Sequence, residues 1–190
     1  MGKRTAARIL GSIIAVTIMS GCGSNLDDPD HPVTKEEIAH AEAEMRKLPS
    51  VEDTERQLST VIQQIADATK NVAPELDWRI KPNRGQGTLG CPRAYMETDG
   101  VSMTTDDLIS PVPIPDSRWA DVLKVARDIA AQNGITTLTV RVDVAGRHDV
   151  ILHSPDNGNE IGIGTYKAAL ITGTTGCRFR AEDLQKQPGN

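Results

Sequence analysis

Two stretches in the first half of the chain carry apolar residues at helical spacing. The segment Thr34-Lys35-Glu36-Glu37 has the form of a capping box, so a helix is predicted to begin there and to end at Pro49. Its apolar stripe is narrow, which predicts a surface helix that is only loosely docked. A wider stripe predicts a second helix from Ser50 to Pro74 that packs against a sheet rather than in a coiled coil; the stripe consists of Val51, Leu58, Val61, Ile62, Ile65, Ala66 and Val72.

A third helix follows a proline-rich connector in the middle of the chain. Asp116 is predicted as its N-cap, Trp119 as its core anchor and Gly134 as the residue that terminates it. The remaining apolar residues of its buried face are Val122, Leu123, Ala126, Ile129 and Ala130.

After Gly134 the period changes from that of a helix to that of a strand. Alternation with polar residues predicts a strand whose core face carries Leu138, Val140, Val142 and Val144. Residues 150–154 return after a turn, and residues 161–171 supply one long or two shorter strands. Gly162 and Gly164 within that run indicate a bulge, a close approach by another group or a bend, of which we prefer the bend. Residues 78–82 predict a further short strand at an edge.

These elements predict an α+β fold, a two-layer sandwich with helices on one face of a four- to five-stranded, mainly antiparallel sheet. The chain of 190 residues divides into a lipoprotein signal peptide at 1–21, a lipidated cysteine and flexible tether at 22–33, and a single α+β domain at 34–190.

The amino end has the layout of a secretory signal. Three basic residues precede an apolar run at 9–19, which is shorter than the roughly 20 residues that span a bilayer. Ser20 and Gly21 stand directly before Cys22, as in a bacterial lipobox, whose cysteine is acylated and becomes the first residue of the mature protein. The alternative is an ordinary cleaved signal beside a chance cysteine, but such sites do not require a thiol. We therefore predict lipidation at Cys22.

The tether that follows consists mostly of small and acidic residues and contains prolines, so it cannot bury enough apolar surface to fold. Its acidic residues and His31 are interpreted as a solvated linker rather than a metal site. The formal charge of the chain is −5, and removal of the three cations of the signal brings it to −8. This acidity argues against nucleic acid or anionic lipid headgroups as partners.

If Cys22 is lipidated, two cysteines remain, which is the number needed for one disulfide. In an oxidising exported compartment such a pair tends to close, which predicts a disulfide between Cys91 and Cys177. A redox or metal site is the rival interpretation, but neither cysteine lies in a CxxC motif or beside a histidine at ligand spacing. No metal and no cofactor are predicted.

Candidate chemistry is sparse. His148 and His153 are an odd number of residues apart, so on a regular strand they face opposite sides and cannot share a metal. Neighbouring Ser154 lacks the surroundings of a catalytic nucleophile. The paired acids Asp106-Asp107 and Glu182-Asp183 are predicted to be solvated. No catalytic residue is assigned, and the chain is not expected to be an enzyme.

Several motifs resemble those of the mycobacterial LppA-type lipoproteins. They are the lipobox, Gly90-Cys91-Pro92, Pro113-Ile114-Pro115 ahead of the Trp119 helix, and Thr175-Gly176-Cys177-Arg178. The resemblance implies an envelope lipoprotein on the outer face of the plasma membrane, with Cys22 as the lipidated residue and no enzymatic activity to transfer.

The leading hypothesis is therefore a non-catalytic binding or interaction module, exported and held in the cell envelope by its lipid. Its expected partners are the membrane, through the anchor, and an unknown envelope protein or small ligand. The alternative is a carrier of a lipid or another small hydrophobic molecule, which requires a cavity of ligand size.

Overall fold

The structure is a computed structural model that describes residues 32–82, 89–155 and 158–186. Its helices are α1 (Lys35–Met45), α2 (Val51–Thr69), α3 (Asp116–Ala131) and the short α4 (Ala181–Leu184), with a 3₁₀ helix at Arg93–Glu97. Its strands are β1 (Arg79–Lys81), β2 (Asp107–Ser110), β3 (Thr137–Val144), β4 (Arg147–His153), β5 (Glu160–Thr165) and β6 (Ala169–Thr174). The predicted signal peptide, Cys22 and most of the predicted tether lie outside the described residues, so they and the domain boundaries stay predictions.

All six strands form one antiparallel sheet in the order β1-β2-β6-β5-β4-β3. The α+β class is confirmed, but the prediction of four to five strands is too low. The run at 161–171 divides into β5 and β6. Residues 101–109 carry only a weak pattern, yet they lead into β2, which at four residues is too short for alternation to be recognised.

Helices α2 and α3 cover one face of the sheet and form the core with it. Their stripes meet the inward residues of the central strands, so the two-layer arrangement follows from the periodicities. The core side chains include Leu58, Ile62, Ile65, Trp119, Val122, Leu108, Val150, Leu152, Ile161, Ile163 and Ile171.

Helix α1 has the predicted start but not the predicted loose docking. Its capping box is complete, because the Thr34 hydroxyl accepts from the Glu37 amide at 3.2 Å and the Glu37 carboxylate accepts from the Thr34 amide at 2.8 Å. Met45 is fully buried, and it lies so close to Gly100 that a β-carbon there would come within 2.6 Å of the Met45 sulfur. The narrow stripe packs on the segment around the 3₁₀ helix rather than on the sheet.

Two further predictions fail for local reasons. Pro115, not Asp116, is the N-cap of α3, and it makes no side-chain capping bond. In β3 the pairing with β4 shifts between Val140 and Val142. This irregularity moves Val142 and Val144 off the face that Val140 shares with Val150, so the four predicted residues do not form one core face.

Gly162 and Gly164 pair in unbroken register with both neighbouring strands, so the bulge interpretation is wrong. They lie on the face of the sheet opposite α2 and α3. Gly173 on β6 has the opposite orientation, since a β-carbon there would lie 2.9 Å from Leu58 of α2 and from Thr105. Gly173 therefore permits the close approach of helix to sheet.

We predict that Gly173→Ala destabilises the protein by about 1–3 kcal/mol, because the added methyl overpacks a filled core. Gly164→Ala is the matched control, since its β-carbon would meet only ordinary contacts, the nearest at 3.6 Å. Urea unfolding of both variants measures the difference. Equal destabilisation by the two substitutions would contradict the packing of α2 against β6.

Candidate functional site

A pocket of about 600 Å³ lies at the end of the sheet where β6 ends and β5 begins. Its volume falls within the range of about 300–1,000 Å³ typical of small-molecule sites. The apolar part of its wall comes from the end of α1 and the residues after it, from the 3₁₀ helix and the segment before it, and from the segment after β6. The side chains that supply it include Met45, Leu48, Leu89, Pro92, Tyr95 and Cys177.

Three extended segments and a disulfide build this pocket. Leu89 and Ser102 exchange two backbone hydrogen bonds of 2.8 and 3.2 Å, and Val101 and Arg178 exchange two of 2.9 Å. The expected bond between Cys91 and Cys177 is present and joins the outer two segments, with Cα atoms 5.9 Å apart. These cross-links hold the pocket wall in place without a helix or a long strand.

Arg178 contributes a buried cation to the pocket wall, with only 2% of its surface exposed. Its Nη1 donates to the Cys177 carbonyl at 2.8 Å and its Nη2 to the Asn159 Oδ1 at 3.4 Å. Asn159 Oδ1 also accepts from the Gly176 amide at 2.9 Å. The guanidinium is therefore tied into the backbone that carries the disulfide.

Tyr95 and Glu44 add a hydrogen-bonded polar pair to the pocket lining. The Tyr95 hydroxyl donates to Glu44 Oε2 at 2.9 Å. Burial raises the pKa of Tyr95, and the hydrogen bond and negative charge of Glu44 raise it further, while the charge of Arg178 opposes them. Tyr95 accordingly stays a neutral hydrogen-bond donor at physiological pH.

A second cluster surrounds His148 at the other end of the sheet. The His148 ring stacks on Trp119 with centroids 4.6 Å apart and planes within 9°. Its Nδ1 lies 2.6 Å from Asp143 Oδ1, and its Nε2 lies 3.1 Å from Asp116 Oδ1. The ring can donate to both carboxylates only as an imidazolium. Asp116 also accepts from the Gly146 amide at 2.9 Å, so one carboxylate ties α3 to the hairpin between β3 and β4.

His153 and Ser154 lie apart from this cluster. His148 is buried on the core face, whereas His153 Nε2 lies 3.2 Å from the Thr139 hydroxyl near the outer face, as the odd spacing predicts. The Ser154 hydroxyl accepts from the Asn159 amide at 2.9 Å. It therefore caps a loop. In the described part of the chain, no group of three or more His, Cys, Asp or Glu side chains could hold a metal.

The paired acids are not simply solvated. Asp183 is nearly buried and accepts from Lys186 Nζ at 2.5 Å. Asp107 is partly buried in β2, where desolvation raises its pKa; the charge of Lys81 opposes this effect and that of Asp106 adds to it. The prediction of solvated acids holds for Glu182, which is exposed, but is wrong for Asp183 and Asp107, because these two lie in ordered elements, α4 and β2, rather than in loops.

A sequence model of the LppA family, described as a lipoprotein confined to pathogenic Mycobacterium, matches residues 26–181. The chain belongs to this family. The match confirms the resemblance, and its range includes the two cysteine motifs and Pro113-Ile114-Pro115 but not the lipobox. It supports an envelope-associated lipoprotein, and the family description names no enzymatic activity.

The fold agrees with that of a solved LppA. The crystal structure of LppA from Mycobacterium tuberculosis superimposes with a TM-score of 0.67 at 19% identity, covering 82% of this chain and 92% of that one. A DUF4853 family protein from Actinomyces odontolyticus matches with a TM-score of 0.46 at 12% identity, over 70% of this chain and 71% of that one. No curated protein matches the sequence. Among the described helices of this LppA-family chain, none is long and apolar enough to cross a bilayer.

The sequence interpretation missed the main polar features of both sites. Arg178 stands beside a predicted disulfide cysteine, but a lone arginine gives no sign of burial. The pairing of Tyr95 with Glu44 joins residues 51 positions apart and left no local signal. His148 and Asp143 flank the Ala145-Gly146 turn and are paired residues of the hairpin, so that contact could have been found.

We predict that Asp116 makes the stability of this protein sensitive to acid. The Gly146 amide, followed by His148, lowers the pKa of Asp116 below its ordinary value of 3.8. A carboxylate with a lowered pKa stabilises the fold fully above its unfolded pKa, and the effect is lost as pH falls through the folded pKa. Asp116→Asn should therefore lower the melting temperature at pH 7, and its difference from the parent should shrink as pH falls below about 4.

Asp121→Asn removes the same charge from an exposed position of α3 and serves as the control. Thermal unfolding between pH 7 and pH 3 makes the comparison. A difference between Asp116→Asn and the parent that stays constant over this range would show that the carboxylate is not stabilised by Gly146 and His148.

Proposed function

We propose that this LppA-family chain is a cell-envelope lipoprotein with a non-catalytic binding domain, held at the outer face of the plasma membrane by a lipid on Cys22. The family match and the lipobox support the anchor. The observation that carries the binding role is the pocket of about 600 Å³ beside the disulfide.

The composition of the pocket favours binding over reaction. Its described lining joins apolar side chains to a few fixed polar groups, the usual pattern of a ligand site. The hydroxyl of Ser102 donates to the Thr175 carbonyl at 2.5 Å, and the Tyr95 hydroxyl donates to Glu44. The Cys177 sulfur is in a disulfide. The Ser102 and Tyr95 hydroxyls and the Cys177 sulfur are thus already engaged.

The second candidate function is a carrier of a lipid or another small hydrophobic molecule. Met45, Leu48 and Leu89 give the pocket an apolar wall, and Leu89 is 47% exposed at its edge. An apolar ligand could contact these side chains while it enters from solvent or from a membrane. A surface interaction module that needs no small ligand would leave the pocket empty in the purified protein.

The anchor is tested by replacement of its cysteine. We expect Cys22→Ser to abolish metabolic incorporation of an alkynyl palmitate in a mycobacterial host and to leave residues 1–21 attached. Cys91→Ser removes a different cysteine and should still incorporate the label. Intact-mass analysis of the membrane fraction records both properties. Unlabelled parent protein would exclude the lipid anchor.

Ligand binding is tested by a substitution that places a bulky side chain in the pocket. Residues 22–190 with Cys22→Ser are exported from a mycobacterial host behind the cleavable signal peptide of a non-lipidated secreted protein, then purified and weighed by native and denaturing mass spectrometry. We expect a mass excess that disappears on unfolding, and we expect Leu48→Trp to lower the occupied fraction about tenfold, equivalent to about 1.4 kcal/mol. Leu123→Trp places the same side chain in a separate groove of about 430 Å³ beside α3 and should keep the ligand.

A bare polypeptide mass in the parent, two hydrogens light for the closed disulfide, would end the carrier hypothesis. Equal loss of the ligand from Leu48→Trp and Leu123→Trp would mean that the ligand does not occupy the disulfide pocket.

A further inference from the structure

One segment of the pocket wall buries very little of its own surface. Residues 89–98, called the strap here, include the 3₁₀ helix and supply four residues to the pocket lining, Leu89, Gly90, Pro92 and Tyr95. Within the strap only Cys91 is buried, with 3% of its surface exposed, whereas Met96 is 65% exposed. A segment with so little buried apolar surface is weakly held by packing.

The hydrogen bonds within the strap close its own turns. The amides of Tyr95 and Thr98 each donate at 3.2 Å to a carbonyl three residues earlier, and Leu89 pairs with Ser102. The Tyr95 hydroxyl reaches α1 at Glu44. None of these bonds joins the strap to a strand of the sheet. Arg93 has a φ of 50°, which is unfavourable for an L-residue, so release of the strap would relieve strain.

Firm attachment to the domain begins after the strap. Val101 and Arg178 exchange two backbone hydrogen bonds of 2.9 Å, and the Thr175 amide donates to the Met103 carbonyl at 2.8 Å. Residues 101–103 thus pair with residues 175–178 without help from the disulfide. The Cys91–Cys177 bond adds the strap to this pair of segments. When that bond is cut, the strap can leave while the pairing beside it remains.

The pocket gives a reductant access to the disulfide. Cys177 is half-buried and belongs to the pocket lining, whereas Cys91 is buried and does not line the pocket. A small thiolate that enters the pocket therefore meets the sulfur of Cys177. Access of the attacking thiolate to one sulfur is a condition for thiol–disulfide exchange.

A dithiol completes the exchange in two steps. One of its thiolates attacks Cys177 Sγ to form a mixed disulfide, and Cys91 leaves as a thiolate. The second thiolate of the dithiol attacks the dithiol sulfur of the mixed disulfide, and Cys177 leaves in turn. The two protons of the dithiol pass to the two protein thiolates. The dithiol is thereby oxidised to a disulfide by two electrons, which reduce the Cys91–Cys177 bond.

We propose that the Cys91–Cys177 disulfide is a redox-sensitive link in the pocket wall, and that its reduction by a dithiol releases the strap and empties the pocket. Loss of a ligand rests on the binding function proposed above, whereas release of the strap does not. Among the described residues, the core cluster of α2, α3 and the sheet contains neither cysteine, so the core stays folded when the strap leaves.

The test uses residues 22–190 with Cys22→Ser, exported as above and incubated with or without dithiothreitol. The thiols are then alkylated, the dithiothreitol is removed, and trypsin is added. We expect reduction of the folded protein to raise the rate of cleavage after Arg93 about tenfold, because trypsin cuts a released segment. Cleavage after Arg118 and Arg127 of α3 should keep the rate of the oxidised protein.

The double variant Cys91→Ala/Cys177→Ala is the matched control. It should be cut after Arg93 at the fast rate whether or not it has met dithiothreitol. The proposal is overturned if dithiothreitol leaves the disulfide of the folded protein intact, or if reduction does not accelerate the cut after Arg93. Equal acceleration of the cuts in α3 would also overturn it, because the disulfide would then stabilise the whole domain.

Native mass spectrometry of the same samples separates this proposal from the function of the pocket. We expect reduction to lower the occupied fraction about tenfold. A bare mass of the oxidised protein would refute the bound ligand, while faster cleavage after Arg93 would still establish the redox-sensitive link. A mass excess that persists after the strap is released would overturn the role of the strap in holding the ligand.

Discussion

The Cys91–Cys177 disulfide is the constraint on which one end of the molecule depends. The 3₁₀ helix that follows Cys91 contributes no buried residue, so its own packing cannot hold it against the domain. Arg93 at its start has a φ of 50°, a left-handed conformation that costs an L-residue about 1–2 kcal/mol. The disulfide closes a sequence separation of 86 residues and fixes this segment to the end of β6. Helix α1 rests in turn on that segment through Met45 and Glu44, and the pocket is the space between them.

The two ends of the sheet are held together by different physical means. At the pocket end, covalent and backbone bonds organise short segments around a buried arginine. At the other end, the carboxylate of Asp116 joins α3 to a hairpin through the Gly146 amide and the His148 ring. Between them, α2 packs closely enough on β6 that a glycine is required at position 173. Each end is thus held by its own set of contacts.

Periodicity predicted the helices of the core and the antiparallel sheet because α2 and α3 carry broad apolar stripes and the strands carry apolar residues on one face, and these surfaces bury each other in two layers. The same reasoning failed where one residue decides the outcome. The shift between Val140 and Val142 reverses the side chains beyond it, and alternation alone gives no sign of such a shift. Met45 docks α1 although the stripe around it is narrow. The disulfide could be predicted from the cysteine count, whereas the buried Arg178 beside it depends on long-range contacts that no local pattern encodes.

The sequence identifies Asp116 as an acid at the start of a helix, but it does not show which groups the carboxylate contacts. An acid at the start of a helix usually caps it, and the sequence here offers that role. Pro115 already supplies the extended conformation at the N-cap, and its fixed φ leads directly into the first turn. The carboxylate of Asp116 is then free to reach the hairpin, where a backbone amide and an imidazole satisfy it. The structure uses the acid to join two elements, α3 and the β3–β4 hairpin, rather than to begin one.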